Sequence, residues 1–181
     1  KGFGTLLAGV FHIPYPNSYR CPYGNPSPCT CVESATFLET EIFKRLVDPS
    51  EVAAVFVEPI QGEGGYVPAP KEFLIELQRI CRKHGILLVA DEVQSGMGRT
   101  GKWWAGDHAG LEPDILCVAK GIASGMPLSA TIARASLMQG FDPFDIDRAR
   151  AREDCGDEAT ISIPWGGVDG LPHPNPLPQG N

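Results

Sequence analysis

Two residues of opposite charge each follow an uninterrupted apolar run in this chain. Asp91 follows ILLVA (86–90), and Lys120 follows ILCVA (115–119). A carboxylate at the edge of a buried strand is costly unless a cation or a hydrogen-bond donor meets it. A positioned lysine amine can act as a nucleophile or a proton carrier. The two residues could therefore form a structural ion pair, or they could bind a ligand and do chemistry on it.

The elements that must position these residues are strands alternating with helices. Apolar runs predict buried strands, and helical spacing of apolar residues predicts two amphipathic helices, the second between Pro70 and Gly85. This alternation favours an α/β domain with a mostly parallel sheet and flanking helices. The predicted strands are a short one within 6–15 and those at 52–57, 86–90, 115–119 and 128–133, and the first helix is predicted at 32–47.

Parallel strands of such a sheet end on one side, where ligands bind. Asp91 and Lys120 should project into the same crevice. Glu58 and Glu63 come from the end of the strand at 52–57 and from the glycine-rich turn that follows it. The sequence therefore predicts one cleft that contains an amine, carboxylates and a glycine-lined edge.

Composition limits the classes of function. The 181 residues are 43% hydrophobic, which is enough for a globular core, and the formal net charge is −7. Because nucleic-acid-binding domains usually carry a basic face, nucleic acid is not an expected partner. The apolar runs are too short to span a bilayer and no signal segment is apparent, so we expect a cytoplasmic protein without a membrane partner.

The six cysteines do not show the spacing of a zinc motif. Cys21, Cys29 and Cys31 lie in the Pro-rich stretch CPYGNPSPCTC, and the other three are scattered along the chain. Structural zinc sites usually show CxxC or CxxxC pairs, which are absent here. The sequence therefore favours reduced, non-catalytic thiols and no metal.

The residues alone suggest three alternatives for the cleft, of which two remain. Asp91 and Lys120 could be a salt bridge that closes the sheet. Nucleotide hydrolysis would need GxxxxGK[ST], and no such stretch exists. A non-catalytic, truncated α/β binding module is the third alternative.

Three stretches, in this order, resemble the class III aminotransferases of fold type I, the group that includes acetylornithine, ornithine and 4-aminobutyrate aminotransferases. They are VEPIQGEGG (57–65), ADEVQSGMGRTGKWWAGDHAGLEPDI (90–115) and AKGIASGMPLSA (119–130). The resemblance implies an enzyme that uses pyridoxal 5'-phosphate to move an amino group from an ω- or α-amino donor to a 2-oxo acid. It also implies a homodimer in the intact relative.

The resemblance assigns roles to five residues. Lys120 matches the catalytic lysine that binds the cofactor covalently, and Asp91 matches the carboxylate that keeps the ring nitrogen protonated. Val93 should lie on the same side of an extended chain as Asp91 and pack on the ring. Gln94 matches a donor to the phenolic oxygen, and Glu63 matches a glutamate of the substrate site.

The resemblance covers residues 1–138, which we interpret as a partial cofactor-binding large domain. The family's phosphate-binding loop, ring-stacking aromatic residue and substrate arginine are not found in this chain. We expect residues 139–181 to be a tail foreign to the family, either disordered or from an appended reading frame. We accordingly expect a central fragment of the enzyme with little or no activity by itself.

Overall fold

Residues 8–138 and 160–162 are described by a computed structural model. They form one five-stranded sheet and a small hairpin, with helices against the sheet. The strands are β1 (Ala54–Val57), β2 (Ile60–Gln61), β3 (Val67–Pro68), β4 (Leu87–Asp91), β5 (Ile115–Val118), β6 (Ala130–Ala133) and β7 (Thr160–Ser162). The sheet order is β1-β4-β5-β6-β7.

The helices follow the predicted apolar periodicity. The longest, α3 (Lys71–His84), begins after Pro70 and ends at Gly85, which has the left-handed φ of 68° that glycine tolerates. The helix predicted at 32–47 is present but contains a π-helical turn that the sequence did not predict. The remaining helical segments are α1 (Val32–Phe37), the π turn (Leu38–Ile42), α2 (Phe43–Arg45), α4 (Ala135–Met138) and 3₁₀ turns at Pro49–Glu51, Ala105–His108 and Lys120–Ile122.

The core lies between one face of the sheet and the helices. Phe73, Leu77 and Ile80 of α3 are at most 1% exposed and pack with Leu88 and Ala90 of β4. Side chains alternate along a strand, so the neighbouring positions face the other side of the sheet. α3 therefore fixes which residues of β4 face the core and which face away.

The predicted mixed α/β fold is confirmed, with three differences in detail. β1, β4 and β5 are parallel, but β6 pairs antiparallel with β5, and β7 antiparallel with β6. An apolar run does not encode strand direction, so the sequence could not predict this. The strand expected within 6–15 is not present in its described part, 8–15, where prolines interrupt the chain. The hairpin of β2 and β3 was not predicted.

The predicted tail lies mostly outside the described residues, which include only β7 of the range 139–181. The division of the chain at residue 138 therefore stays a prediction. Among the described residues, no helix combines the length and the apolar character needed to cross a bilayer.

Glu39 joins the π turn to the last turn of α3. Its carboxylate accepts hydrogen bonds from Lys83 Nζ at 2.6 Å and lies 2.8 Å from His84 Nε2. These contacts hold the pKa of Glu39 at about 2, below its ordinary value of 4.5. A pKa lowered by folding gives stability that is present above about pH 4.5 and is lost as the pH falls toward 2.

We expect Glu39→Gln to lower the free energy of unfolding at pH 7 by about 1 kcal/mol, a modest loss because water screens the partly exposed carboxylate. The difference from the parent should disappear near pH 2. Urea unfolding followed by circular dichroism across this range measures both. Glu41→Gln is the control, because Glu41 pairs only with the exposed Arg45. An equal loss in both variants at pH 7 would show that the contacts of Glu39 with α3 stabilise the fold no more than an exposed ion pair does.

Candidate active site

The carboxyl ends of β1, β4 and β5 lie next to each other, as predicted for three parallel strands. Asp91 is the last residue of β4 and is paired with Cys117 of β5. Lys120 begins a 3₁₀ turn two residues after β5 ends. The sheet therefore places the predicted acid and the predicted amine at the same edge.

Asp91 ends its strand by closing a turn. Its Oδ1 accepts the backbone N–H of Val93 at 3.0 Å, and the chain from residue 93 onward is a series of turns. The expectation that Val93 continues an extended chain is therefore wrong. Any contact of Val93 with a ligand would come from the turn and not from strand alternation.

Glycines allow three loops to pack together at this edge. A Cβ added to Gly62 would lie 2.5 Å from Oε1 of Gln94, and one added to Gly121 would lie 3.0 Å from Cβ of Met97. Any larger residue at Gly62 would displace Gln94. The loop after β4 therefore contacts both the turn that follows β1 and β2 and the turn that follows β5, so the cleft is built from all three.

Gln94 and Glu63 are in direct contact, as their assignment to one site requires. Nε2 of Gln94 donates to Oε1 of Glu63 at 3.4 Å. Oε1 of Gln94 is buried and has no hydrogen-bond partner among the described residues. An amide oxygen only accepts, so a hydrogen bond from Gln94 to a phenolic oxygen of a ligand would come from the second N–H of Nε2.

Glu58, directly after β1, anchors the turn between β2 and β3. Its Oε2 accepts the N–H of Gly62 at 2.6 Å, and its backbone carbonyl accepts the Tyr15 hydroxyl at 2.8 Å. Burial, reinforced by the Glu58 charge, raises the pKa of Tyr15. Tyr15 therefore remains a neutral donor that holds this loop in place.

Lys120 is exposed and has a φ of 48°, in the left-handed region that costs energy for a residue with a Cβ. Strained backbone of this kind concentrates at functional positions. Within the described residues, no ion pair shorter than 4.0 Å joins Lys120 to Asp91. The salt-bridge alternative therefore lacks the contact that it requires.

The electrostatic field at the end of β4 is negative. Burial, together with the nearby charge of Asp91, raises the pKa of the Cys117 thiol. Cys117 therefore remains a neutral thiol beside the Asp91 carboxylate.

A cavity beside β1 overlaps this edge only in part. Its volume is about 670 Å³, and Asp91 and Glu58 lie on its wall. Lys120, Gln94 and Glu63 do not line it. We therefore base the candidate site on the three loops and not on this cavity.

The adjacent Glu92 has a structural role that the sequence analysis missed. Glu92 is 1% exposed, its Oε1 accepts the N–H of Gly106 at 2.8 Å, and its Oε2 accepts the hydroxyl of Ser95. Because these partners are 14 and 3 residues away, the sequence around Glu92 gave no sign of the contact. Glu92 joins the turns after β4 to the 3₁₀ turn at Ala105–His108.

Removing this buried carboxylate should destabilise the fold. We expect Glu92→Ala to lower the free energy of unfolding by about 3 kcal/mol, since it leaves two buried donors without an acceptor. Chemical unfolding measures the change. Glu112→Ala is the matched control, because Glu112 is exposed and pairs with Arg82 at the surface, and its loss should stay within about 0.5 kcal/mol. Equal losses in the two variants would contradict a structural role for the buried Glu92 carboxylate.

A carboxylate and a lysine at adjacent parallel strand ends, with a polar turn between them, are residue types that hold pyridoxal phosphate in the enzymes that use it. These residues fit that cofactor, since Asp91 suits a protonated ring nitrogen, Nε2 of Gln94 has a second N–H to donate and the Lys120 amine is accessible.

Comparison with known proteins agrees with this class. The family model for class-III aminotransferases matches residues 1–149, and the chain belongs to this family. The leucine/methionine racemase of Thermococcus litoralis is 45% identical over 138 residues, which are 76% of this chain and 31% of that protein. The acetylornithine aminotransferase of Methanopyrus kandleri is 46% identical over 144 residues, 80% of this chain and 36% of that protein.

Solved structures of transaminases are also similar to this chain. An amine transaminase from an uncultivated Pseudomonas species, in its PLP-bound form, is 40% identical to this chain, with a TM-score of 0.66. The match covers 72% of this chain and 29% of the transaminase chain. The chain thus spans about a third of the length of the proteins that it matches.

Proposed function

We propose that this chain is the central part of the cofactor-binding domain of an aminotransferase that uses pyridoxal phosphate. The observation that carries the proposal is the contact of the loops after β1, β4 and β5, which gathers Glu63, Asp91, Gln94 and Lys120 at one edge. The fold and the family membership support the same chemistry.

Each residue has a role in this proposal. When bound, pyridoxal phosphate supplies an electron sink that weakens the Cα–H bond of an amino acid. The Asp91 carboxylate holds a proton on the ring nitrogen by charge pairing. The Lys120 amine would hold the cofactor covalently and, once the substrate amine had displaced it, the freed amine would move the substrate proton as base and then as acid. The Gln94 amide orients the ring oxygen, and Val93 packs nearby from its turn.

The proposed substrates are an ω- or α-amino donor and a 2-oxo acid such as 2-oxoglutarate. Relatives named as 5-aminovalerate, acetylornithine and diaminobutyrate–2-oxoglutarate aminotransferases support this class. Glu63 is exposed and next to Gln94, so it can contact the part of a substrate beyond its reacting amine. We also propose a homodimer, as the family resemblance implies, and a cytoplasmic location, in keeping with thiols that are unpaired in the described residues.

A chimera tests the proposal, because the chain spans about a third of its relatives. Residues 1–138 replace the matching segment of the M. kandleri acetylornithine aminotransferase. We expect the chimera to retain pyridoxal phosphate, seen by its visible absorption, and to transfer amino groups to 2-oxoglutarate. A folded chimera that retains the cofactor without transferring an amino group would contradict the proposed reaction. A folded chimera that does not retain the cofactor would favour the non-catalytic binding module.

Amino-acid racemisation is a second candidate. Three of the similar proteins are named leucine/methionine racemase, alanine/serine racemase and isoleucine 2-epimerase, at 45%, 44% and 41% identity. Racemisation needs the same Cα proton removal but no 2-oxo acid. The same segment placed in the T. litoralis protein distinguishes the two: inversion of leucine, measured by chiral chromatography without a 2-oxo acid, supports racemisation. Amino transfer by the M. kandleri chimera, together with no inversion of leucine by the T. litoralis chimera, supports transamination.

A further inference from the structure

Three cysteine sulfurs converge in the loop before α1, away from the candidate active site. The sulfurs of Cys21, Cys29 and Cys31 all lie within 4.8 Å of one another, and those of Cys21 and Cys29 are 3.2 Å apart. The sequence spacing of seven residues and then one did not suggest this arrangement. The folding of the loop brings the thiols together.

The loop is held by its own hydrogen bonds. The N–H of Cys29 donates to the carbonyl of Ser18 at 3.1 Å, and the N–H of Gly24 donates to the carbonyl of Cys21 at 3.1 Å. Cys31 is the N-cap of α1, and its carbonyl accepts the N–H of Ser34 at 3.0 Å. The positions of the three cysteines are therefore set by backbone contacts and not by the sulfurs alone.

The Cys29 sulfur has the surroundings of a thiolate ligand. It accepts the backbone N–H of Cys31 at 3.1 Å and the side-chain N–H of Asn25 at 3.6 Å. The Asn25 amide is held in turn by Glu33 at 2.9 Å. N–H donors to a sulfur and a carboxylate behind them are the outer contacts that orient and tune metal ligands.

The dimensions suit one tetrahedral ion. Zinc binds thiolate sulfur at about 2.3 Å, so three sulfurs on one zinc lie about 3.8 Å apart. The Cys21 and Cys29 sulfurs are 3.2 Å apart and no pair of the three exceeds 4.8 Å, so small side-chain rotations would complete the geometry. Cys29 and Cys31 are 7% and 0% exposed, whereas Cys21 is half-buried, which leaves one side open for a fourth ligand such as water.

We propose that Cys21, Cys29 and Cys31 form a zinc site that fixes the loop before α1. Soft thiolates favour Zn²⁺ over the hard cations that prefer oxygen. The ion would tie the loop to the start of α1 and so stabilise the helix that packs on α3. The site does not depend on the proposed reaction.

The test uses the full 181-residue chain, stripped with a chelator, kept reduced with a phosphine and titrated with Zn²⁺ alone. We expect one zinc per chain by native mass spectrometry. Competition with a chromophoric chelator should show that Cys21→Ser weakens binding by about 100-fold or more, because one of three thiolates is lost. Cys117→Ser, a half-buried thiol in β5, is the matched control and should bind zinc like the parent.

A second measurement does not depend on the variant folding. Zinc should protect Cys21, Cys29 and Cys31 of the parent from alkylation, as mapped by peptide mass, and should not protect Cys81 or Cys117. No zinc uptake by the parent, protection of a different set of cysteines, or equal zinc affinity in Cys21→Ser would overturn the proposal.

Discussion

Replacing Lys120 with alanine in the M. kandleri chimera will lower the rate of amino transfer by about a thousandfold or more, because one amine supplies both the covalent hold on the cofactor and the proton transfer. Stability should change little, since Lys120 is exposed and in a left-handed backbone conformation that alanine also finds unfavourable. Steady-state transamination kinetics at saturating pyridoxal phosphate measure the loss.

The site of cofactor attachment gives an independent measure of the same role. Borohydride reduction of the parent chimera should leave a pyridoxyl group on the peptide that contains Lys120. Lys102→Ala is the matched control, because Lys102 lies in the loop after β4 and donates only to the carbonyl of Asp107. This control should keep both the label and the activity. A label on Lys102 or Lys83, or an active Lys120→Ala variant, would remove Lys120 from the proposed mechanism.

The parallel part of the sheet could be predicted because β1, β4 and β5 are apolar up to the edge of the sheet, even where a side chain such as Phe56 is 73% exposed. Such strands read as continuous apolar runs, and each run ends where a polar residue reaches the sheet edge, at Glu58, Asp91 and near Lys120. The helix α3 was equally clear, since its apolar residues follow helical spacing between Pro70 and Gly85. Both patterns depend on the spacing of apolar residues, which can be counted from the sequence.

Contacts that depend on the path of the backbone through turns and loops could not be predicted from the sequence. The turn that Asp91 closes with Val93 redirects the chain within two residues, and no apolar period marks it. The β2 and β3 strands have two residues each, too few to show alternation. The burial of Glu92 and the convergence of the three cysteines arise from loops that meet in space. Turn chemistry and loop contacts therefore had to be seen in the structure.

The second large effect concerns Asp91. We expect Asp91→Asn in the chimera to lower kcat by about 100-fold to 1,000-fold, of the order found when a preorganised group is removed from a water-excluded site. Asparagine has nearly the same shape and keeps an oxygen that can accept the N–H of Val93, so the turn should persist. It lacks the negative charge needed to hold a proton on the ring nitrogen. Steady-state kinetics with excess cofactor measure kcat.

Asp114→Asn separates this electrostatic role from a structural one. Asp114 lies just before β5, at the opposite end of that strand, where it accepts the N–H of Leu88 at 2.9 Å and pairs with Arg134 at 2.9 Å. Its replacement should lower the melting temperature while leaving activity per folded molecule unchanged. Asp91→Asn should lower activity and leave the melting temperature unchanged, because the Asp91 charge acts on the cofactor and does not stabilise the sheet. If Asp91→Asn melts earlier but remains as active as the parent, the carboxylate is part of the scaffold, and the cation that it faces is not the cofactor.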